Sequence, residues 1–329
     1  MSDRPDEFEW IRRGLAPLAK NAPEAFDLAD DAAAIAGRQG FDLIVSNDAI
    51  VEGVHFLADD PPELVARKLL RVNLSDLAAK GAEPYGYFLA VAWPDRFGWP
   101  EREAFARGLE ADQTRYGLKL LGGDTVATPG PLTASVTILG WAPAGRMVQR
   151  AGAEPGDVVL ATGVIGDGWL GLEAARQTLV GISYEYTRWL ANRYRLPEPR
   201  LGLGDALRAC AHAAADISDG LIADASKVAA ASGLGLQIDL DALPLSDAAK
   251  AWLATASDPV AARLALASGG DDYELVITAP KANVEALRGA CGARGLALTA
   301  IGGITARDGV RVLAGGREIE AGAGGWVHG

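Results

Sequence analysis

Residues 66–82 read ARKLLRVNLSDLAAKGA. Wound at 3.6 residues per turn, Leu70, Leu74, Leu77 and Gly81 share one face, while Leu69, Asn73, Asp76 and Lys80 follow one another along the neighbouring stripe. The spacing predicts a helix that carries an amide and a carboxylate beside its buried face. Burying an isolated charge costs roughly several kcal/mol or more, so Asp76 must be paired, hydrogen-bonded or metal-bound. Lys80, four residues on, is one available partner, and a metal ion is the other.

The chain around this helix has 329 residues, longer than a single core usually grows, which predicts two domains, 1–142 and 143–329. Its formal charge of −12 argues against nucleic acid or an anionic membrane as partner. The same charge means that a phosphate ester could be received only with bound cations. Cys210 and Cys291 form no CxxC pair and His55, His212 and His328 no HxxxH pair, so neither a disulfide framework nor zinc is expected. The acidic N-terminus lacks a signal-peptide pattern and no long apolar run follows, so a soluble cytoplasmic protein is expected.

Along the chain, Phe8, Ile11, Leu15 and Leu18 predict an amphipathic helix over 7–18, packed as a lid on the first domain. A strand over 42–46 is expected to end at Asn47-Asp48, where a carboxylate suits metal chemistry and where Asn-Asp is also ordinary loop composition. His55 reads equally as a packed histidine or a substrate contact. Strands are expected over 85–93 and 132–140, with a helix over 101–116 between them. The run Leu118-Lys-Leu-Leu-Gly-Gly-Asp124 predicts a short strand with Asp124 at its end, the glycines allowing close approach of phosphate or simply a turn. Past the linker at Pro143-Ala-Gly, helices are expected over 166–179, 205–215, 221–231 and 283–294, with another capped by Ser246. Strands are expected over 158–161, 237–240, 275–278, 297–301 and 310–313. Ser218 or Asp219 could serve as an N-cap.

One pattern recurs: Asp31, Asp48, Asp76, Asp124, Asp216 and Asp219 stand at expected strand or helix ends, most of them close to Gly, Ser or Thr. Carboxylate and hydroxyl oxygens without clustered His or Cys suit Mg²⁺, which keeps some waters and bridges to phosphates. Phosphoryl transfer from a nucleoside triphosphate is the chemistry such a set serves. No P-loop, protein-kinase motif or GxSxG elbow offers another.

The motifs DDAA (30–33), VEGVHF (51–56), VNLSDLAAKGA (72–82), LGGDT (121–125), RAGAEPGD (150–157), DISDGL (216–221) and GGDDYEL (269–275) appear in this order. Together they resemble the thiamine-monophosphate kinases. That family shares an ATP-binding superfamily with aminoimidazole ribonucleotide synthetase, selenophosphate synthetase and a hydrogenase maturation protein. The resemblance implies an α/β (α+β) fold. Its N-terminal ATP- and Mg-binding domain would pair its sheet with a twin to form a barrel across a homodimer, and its C-terminal domain of mixed sheet and helices would close the site. It implies transfer of phosphate from ATP to thiamine monophosphate, in line and without a covalent intermediate. Asp31, Ser46, Asp48, Asp76, Asp124, Asp216 and Asp219 would hold several Mg²⁺ ions, with Asn47 at the position of a further ligand. Asp76, Asp124 and Asp219 would be the catalytic carboxylates. Gly123, Asp124, Arg150 and Ser218 would contact ATP, and His55, Asp271 and Trp326 would contact thiamine monophosphate.

This sequence departs from the family pattern at four positions: Ala29 for Gly, Asn47 for Thr, Lys80 for Met, and Asp271 where Glu is common. Two other functions fit the same residues. One is a sister enzyme activating another substrate with ATP, although the first cysteine is Cys210, far from where a selenophosphate synthetase would carry its reactive one. The other is a noncatalytic nucleotide- and metal-binding module.

Overall fold

The computed structural model describes residues 6–320, and Trp326 lies outside them. The fold is mixed α/β with two sheets, one in each of two units: Met1–Leu77 with Ala82–Gly145, and Ala78–Gly81 with Arg146–Gly329.

In the first unit, α1 (Glu7–Trp10) runs into a π-helical turn (Ile11–Leu15) and a 3₁₀ turn (Ala16–Ala19). The expected helix is thus irregular, and its inward side differs from the expectation: Phe8 is exposed while Trp10 is fully buried. Trp10 packs edge-on against Trp93 and Trp99, at 5.5 and 6.0 Å between ring centroids. A Cβ on Gly14 would fall 2.2 Å from the Trp10 ring, so only glycine admits the indole there.

The first sheet contains β1 (Phe41–Val51), β2 (Glu83–Pro94), β3 (Leu120–Thr128) and β4 (Thr133–Pro143), in the order β1-β4-β2-β3. Only the β2–β3 pair is parallel. Between the strands lie α2 (Pro62–Ala79) and α3 (Trp99–Tyr116). Leu69, Leu70, Leu74 and Leu77 of α2 are fully buried, as the helical spacing predicts. Glycines allow the close packing: a Cβ on Gly108 of α3 would lie 2.1 Å from the Glu63 carbonyl oxygen, and one on Gly140 of β4 would lie 3.0 Å from Leu77. Sequence periodicity missed that Lys68 and Arg71 are buried as well. Arg71 and Arg67 both pair with Asp112 of α3, at 2.6 and 3.1 Å, so burial here rests on compensated charge.

Two strands overrun their expected ends. Asn47-Asp48 lies inside β1 because the whole of β1 pairs in register with β4, from Phe41↔Pro143 to Val51↔Thr133. Asp124 lies inside β3 because Gly122 to Thr128 pair with Phe88 to Pro94. Ladder hydrogen bonds override loop-like composition in both. By the two-residue alternation, Leu43 and Val45 of β1 and Val126 of β3 share the sheet face opposite α2 and α3, and all three are exposed although Leu139 on the same face packs under the N-terminal turns.

The second unit is built on a seven-stranded sheet. Its strands are β5 (Val158–Thr162), β6 (Ala213–Ile217), β7 (Gly235–Asp239), β8 (Glu274–Ala279), β9 (Leu298–Thr305), β10 (Val310–Ala314) and β11 (Arg317–Ile319), ordered β11-β10-β7-β9-β5-β8-β6. The helices are α4 (Asp167–Ala175), α5 (Tyr184–Arg195), α6 (Gly204–Cys210), α7 (Leu221–Ala231), α8 (Asp247–Leu253), α9 (Pro259–Ser268) and α10 (Val284–Gly292). Alternate strand residues enter opposite cores. Val159, Ala213, Ala215 and Val276 pack with α7, whereas Leu160, Ala214, Leu275 and Ile277 pack with α6 and α10. The expected helix over 205–215 is corrected: it stops at Cys210, and Ala213–Ile217 is the strand β6, paired with β8. Alanine favours helix in isolation, but here a strand with both faces buried wins by pairing and burial.

Candidate functional site

In the first unit the candidate residues concentrate where β1 meets α2. Ser46 and Asp48 alternate onto the same side of β1. The Ser46 hydroxyl donates to Asp76 Oδ2 at 2.5 Å, and the Asp48 amide donates to Asn73 Oδ1 at 2.9 Å. Asn73 in turn donates Nδ2 to the Leu69 carbonyl at 2.9 Å, so the polar stripe of α2 clamps the edge strand. Lys80 donates instead to the Ala214 carbonyl within the second unit, at 2.9 Å. The carboxylate and ammonium that could have paired at i,i+4 each find another partner.

Asn47 projects to the other side of β1, where its Nδ2 donates to Ser135 Oγ, the Val136 carbonyl and Thr137 Oγ1 at 3.0–3.1 Å. Its amide is committed to holding β4. Asp124 is exposed on β3, its Oδ1 accepting the Thr125 amide at 2.8 Å. Strand order puts β1 and β3 at opposite edges, about 14 Å apart at ordinary strand spacing. One small ion therefore does not span the two positions along the sheet. A Cβ on Gly123 would lie 1.8 Å from the Leu89 carbonyl oxygen, so this glycine is already required by packing against β2. His55 accepts the Val51 amide at Nδ1, at 3.1 Å, and its carbonyl accepts the buried Lys68 ammonium at 2.9 Å. Asp31 is exposed in the segment before β1, its amide bonded to Asp30 Oδ1 at 2.8 Å.

In the second unit, two loops are tied together at the ends of β6 and β8. The Asp271 amide donates to the Ser218 carbonyl at 2.9 Å and the Tyr273 amide to the Ile217 carbonyl at 2.8 Å. Asp271 and Tyr273 hold φ values of 70° and 51°, a left-handed backbone that costs a non-glycine residue about 1 kcal/mol or more. The Tyr273 hydroxyl donates to Asp271 Oδ1 at 3.1 Å. Asp216 is the last residue but one of β6, in a buried position, and Arg150 is exposed ahead of β5. Neither Ser218 nor Asp219 caps α7. Asp224, in the first turn of that helix, reaches back instead and accepts both of their amides at 2.9 Å on Oδ2.

Acids that the sequence reading did not single out stand behind these loops. Asp272 accepts the amides of Gly166 and Gly168 at 2.8 and 2.9 Å, and so caps the start of α4. Its burial and the nearby carboxylates of Asp167 and Glu274 raise its pKa well above the usual range, against the two amide bonds. Burial likewise lifts Asp167 to about 6, against the hydrogen bond from Ser246 and the charge of Arg193. Glu274 is fully buried and accepts the Thr162 hydroxyl at 2.7 Å and both Nε and Nη2 of Arg200.

Residues 29–142 match the family described as AIR synthase related protein, N-terminal domain, and residues 154–315 match its C-terminal domain. A thiamine-monophosphate kinase from Caulobacter vibrioides is 50% identical over 325 residues, spanning 99% of this chain and 91% of that protein.

The chain belongs to the thiamine-monophosphate kinase family.

The member from Escherichia coli strain K12 is 39% identical over 91% of this chain and 90% of that protein. Among solved structures, the thiamine-monophosphate kinase of Stenotrophomonas maltophilia K279a superposes with a TM-score of 0.78 at 37% identity, covering 87% of this chain and 89% of that one. A structure described as AaThiL complexed with AMPPCP and TMP gives 0.76 at 30% identity, covering 90% of each chain. The family read from the seven motifs is therefore the family found.

The candidate positions Asp31, Ser46, Asp48, Asp76, Asp124, Asp216 and Asp219 offer carboxylate and hydroxyl oxygen. Among the described residues, no three His, Cys, Asp or Glu side chains converge into a cage. That donor set fits Mg²⁺, which needs only one or two carboxylates when waters and phosphates complete its octahedron. Asp224 and Lys227, which bond the Ser218-Asp219 loop, are residues that sequence reasoning missed. An acid in the first turn of a helix that directly follows DISDGL, with lysine three residues later, was the available signal.

Proposed function

We propose that this chain transfers the terminal phosphoryl group of ATP directly to thiamine monophosphate, giving ADP and thiamine diphosphate. The 50% identity to a thiamine-monophosphate kinase over 99% of the chain carries the reading. The related structure bound to AMPPCP, an ATP analogue, and TMP supports both substrates.

Asp31, Ser46, Asp48, Asp76, Asp124, Asp216 and Asp219 would hold Mg²⁺, with Asp76, Asp124 and Asp219 carrying the catalytic charge. Bound there, the ions would neutralise the charge of the phosphates in a field that otherwise repels them. The separation of Ser46 and Asp76 on one side from Asp124 on the other favours several ions. Asn47 could offer only Oδ1, because its Nδ2 is committed to β4. Gly123, Asp124, Arg150 and Ser218 would contact the nucleotide. His55, Asp271 and Trp326 would contact thiamine monophosphate, with Asp271 held in place by Tyr273. The first unit, near the expected 1–142, would serve ATP, Mg²⁺ and dimerisation, and the remainder, near 143–329, would complete catalysis. A cytoplasmic location suits the reading, and no helix among the described residues is long and apolar enough to cross a membrane.

An ADP-release assay with thiamine monophosphate, thiamine and aminoimidazole precursors should show turnover with thiamine monophosphate alone. ADP release driven by an aminoimidazole precursor would assign a sister activity, and nucleotide binding without turnover would assign a binding module. The exposed Leu43, Val45 and Val126, on the part of their sheet face that the N-terminal turns leave uncovered, support a homodimer closed through that face. Light scattering at micromolar concentration should give twice the 34.2 kDa chain mass, and a monomer mass throughout would reject the barrel.

A further inference from the structure

Lys227 lies on α7 two turns beyond Asp219, and its ammonium group touches two acids at once. It donates to Asp219 Oδ2 and, at 2.8 Å, to Asp224 Oδ1. The two carboxylates differ in what they need. Asp224 is 5% exposed and already accepts the Ser218 and Asp219 amides on its other oxygen, so it fixes the loop backbone whatever happens to Asp219. Asp219 is 28% exposed, and Lys227 is its cationic partner. Lys227, at 41% exposed, sits where solvent can receive it.

We propose that Lys227 is a resident counter-ion that occupies the Asp219 carboxylate until a divalent cation displaces it, and so sets how tightly that carboxylate binds metal. This rests on the reading of Asp219 as a Mg²⁺ ligand. The ammonium group and a metal ion would compete for the single negative charge of Asp219. A metal ion arriving at Asp219 meets the charge of Lys227 beside it, and the cost of pushing the ammonium group away toward Asp224 and solvent is subtracted from metal affinity. Asp224 makes the exchange reversible, because the ammonium group keeps one charged partner and the buried carboxylate is never left uncompensated. The loop backbone stays in place throughout on the two Asp224 amide bonds.

The test is direct binding of Mn²⁺, followed by the electron paramagnetic resonance signal of the free ion, to the full-length protein without nucleotide. Lys227→Met should bind about two- to fivefold more tightly at the class of site that Asp219→Asn weakens. In the Asp219→Asn background the same change should have no effect, because a charge acting only through space would persist there and a competitor for Asp219 would not. Lys227→Gln, which removes the charge but keeps a donor for Asp224, should reproduce the gain and guards against a folding defect in the methionine variant. Unchanged or weaker Mn²⁺ binding in both lysine variants, with Asp219→Asn still weakened, would overturn the counter-ion role alone. Wild-type Mn²⁺ binding in Asp219→Asn would overturn the metal role of Asp219, and the proposal with it.

Discussion

Asp76→Asn should leave the protein folded and lower turnover of thiamine monophosphate at saturating ATP by about a hundredfold or more, the usual scale when charge stabilisation of a transferring group is removed. The side chain is half-buried on α2 and accepts the Ser46 hydroxyl through Oδ2. Asparagine has the same shape and keeps an oxygen that can accept from Ser46, so packing and local bonding survive. What disappears is the negative charge that would hold Mg²⁺ and, through it, phosphate. Steady-state kinetics over a Mg²⁺ titration, beside a thermal melt, separate the two effects. Near wild-type turnover at low Mg²⁺ would show that the Ser46–Asp76 bond only joins strand to helix.

Arg200→Met should destabilise the second unit by roughly 3–5 kcal/mol, the range for stranding one member of a buried ion pair. Glu274 is fully buried in β8, and Arg200 grips both of its oxygens from the loop before α6. Without the guanidinium group, the carboxylate retains the Thr162 hydroxyl and an Arg193 contact at 3.8 Å. That is too little to offset desolvation. Urea denaturation measures the loss, and the double change Arg200→Met with Glu274→Gln should recover part of it because no buried charge is then unpaired. A loss below about 1 kcal/mol would mean that Arg193 takes over the pair.

The two residues differ in how far the sequence announces them. Asp76 is marked by its place on a stripe beside the leucines of α2. Arg200 follows Pro197-Glu-Pro and reads as turn composition, because its partner lies 74 residues away.

Local, short-period physics was therefore legible in the chain by itself. Helical spacing set the buried face of α2, with its four fully buried leucines, and Ser246 was recognised as the cap of α8, accepting the Ala249 amide at 3.0 Å. The order of seven motifs identified the family. Only the tertiary structure decided that Asn47-Asp48 and Gly122–Asp124 sit inside strands and that Ala213–Ile217 is a strand rather than the end of a helix. It also decided that Lys68 and Arg71 are buried, and that Lys227 shares its charge between Asp219 and Asp224. The physical reason is common to these cases. Ladder pairing and charge compensation are made with residues distant in sequence or across a helix turn, and their free energy exceeds the few tenths of a kcal/mol per residue, about, that local propensity contributes.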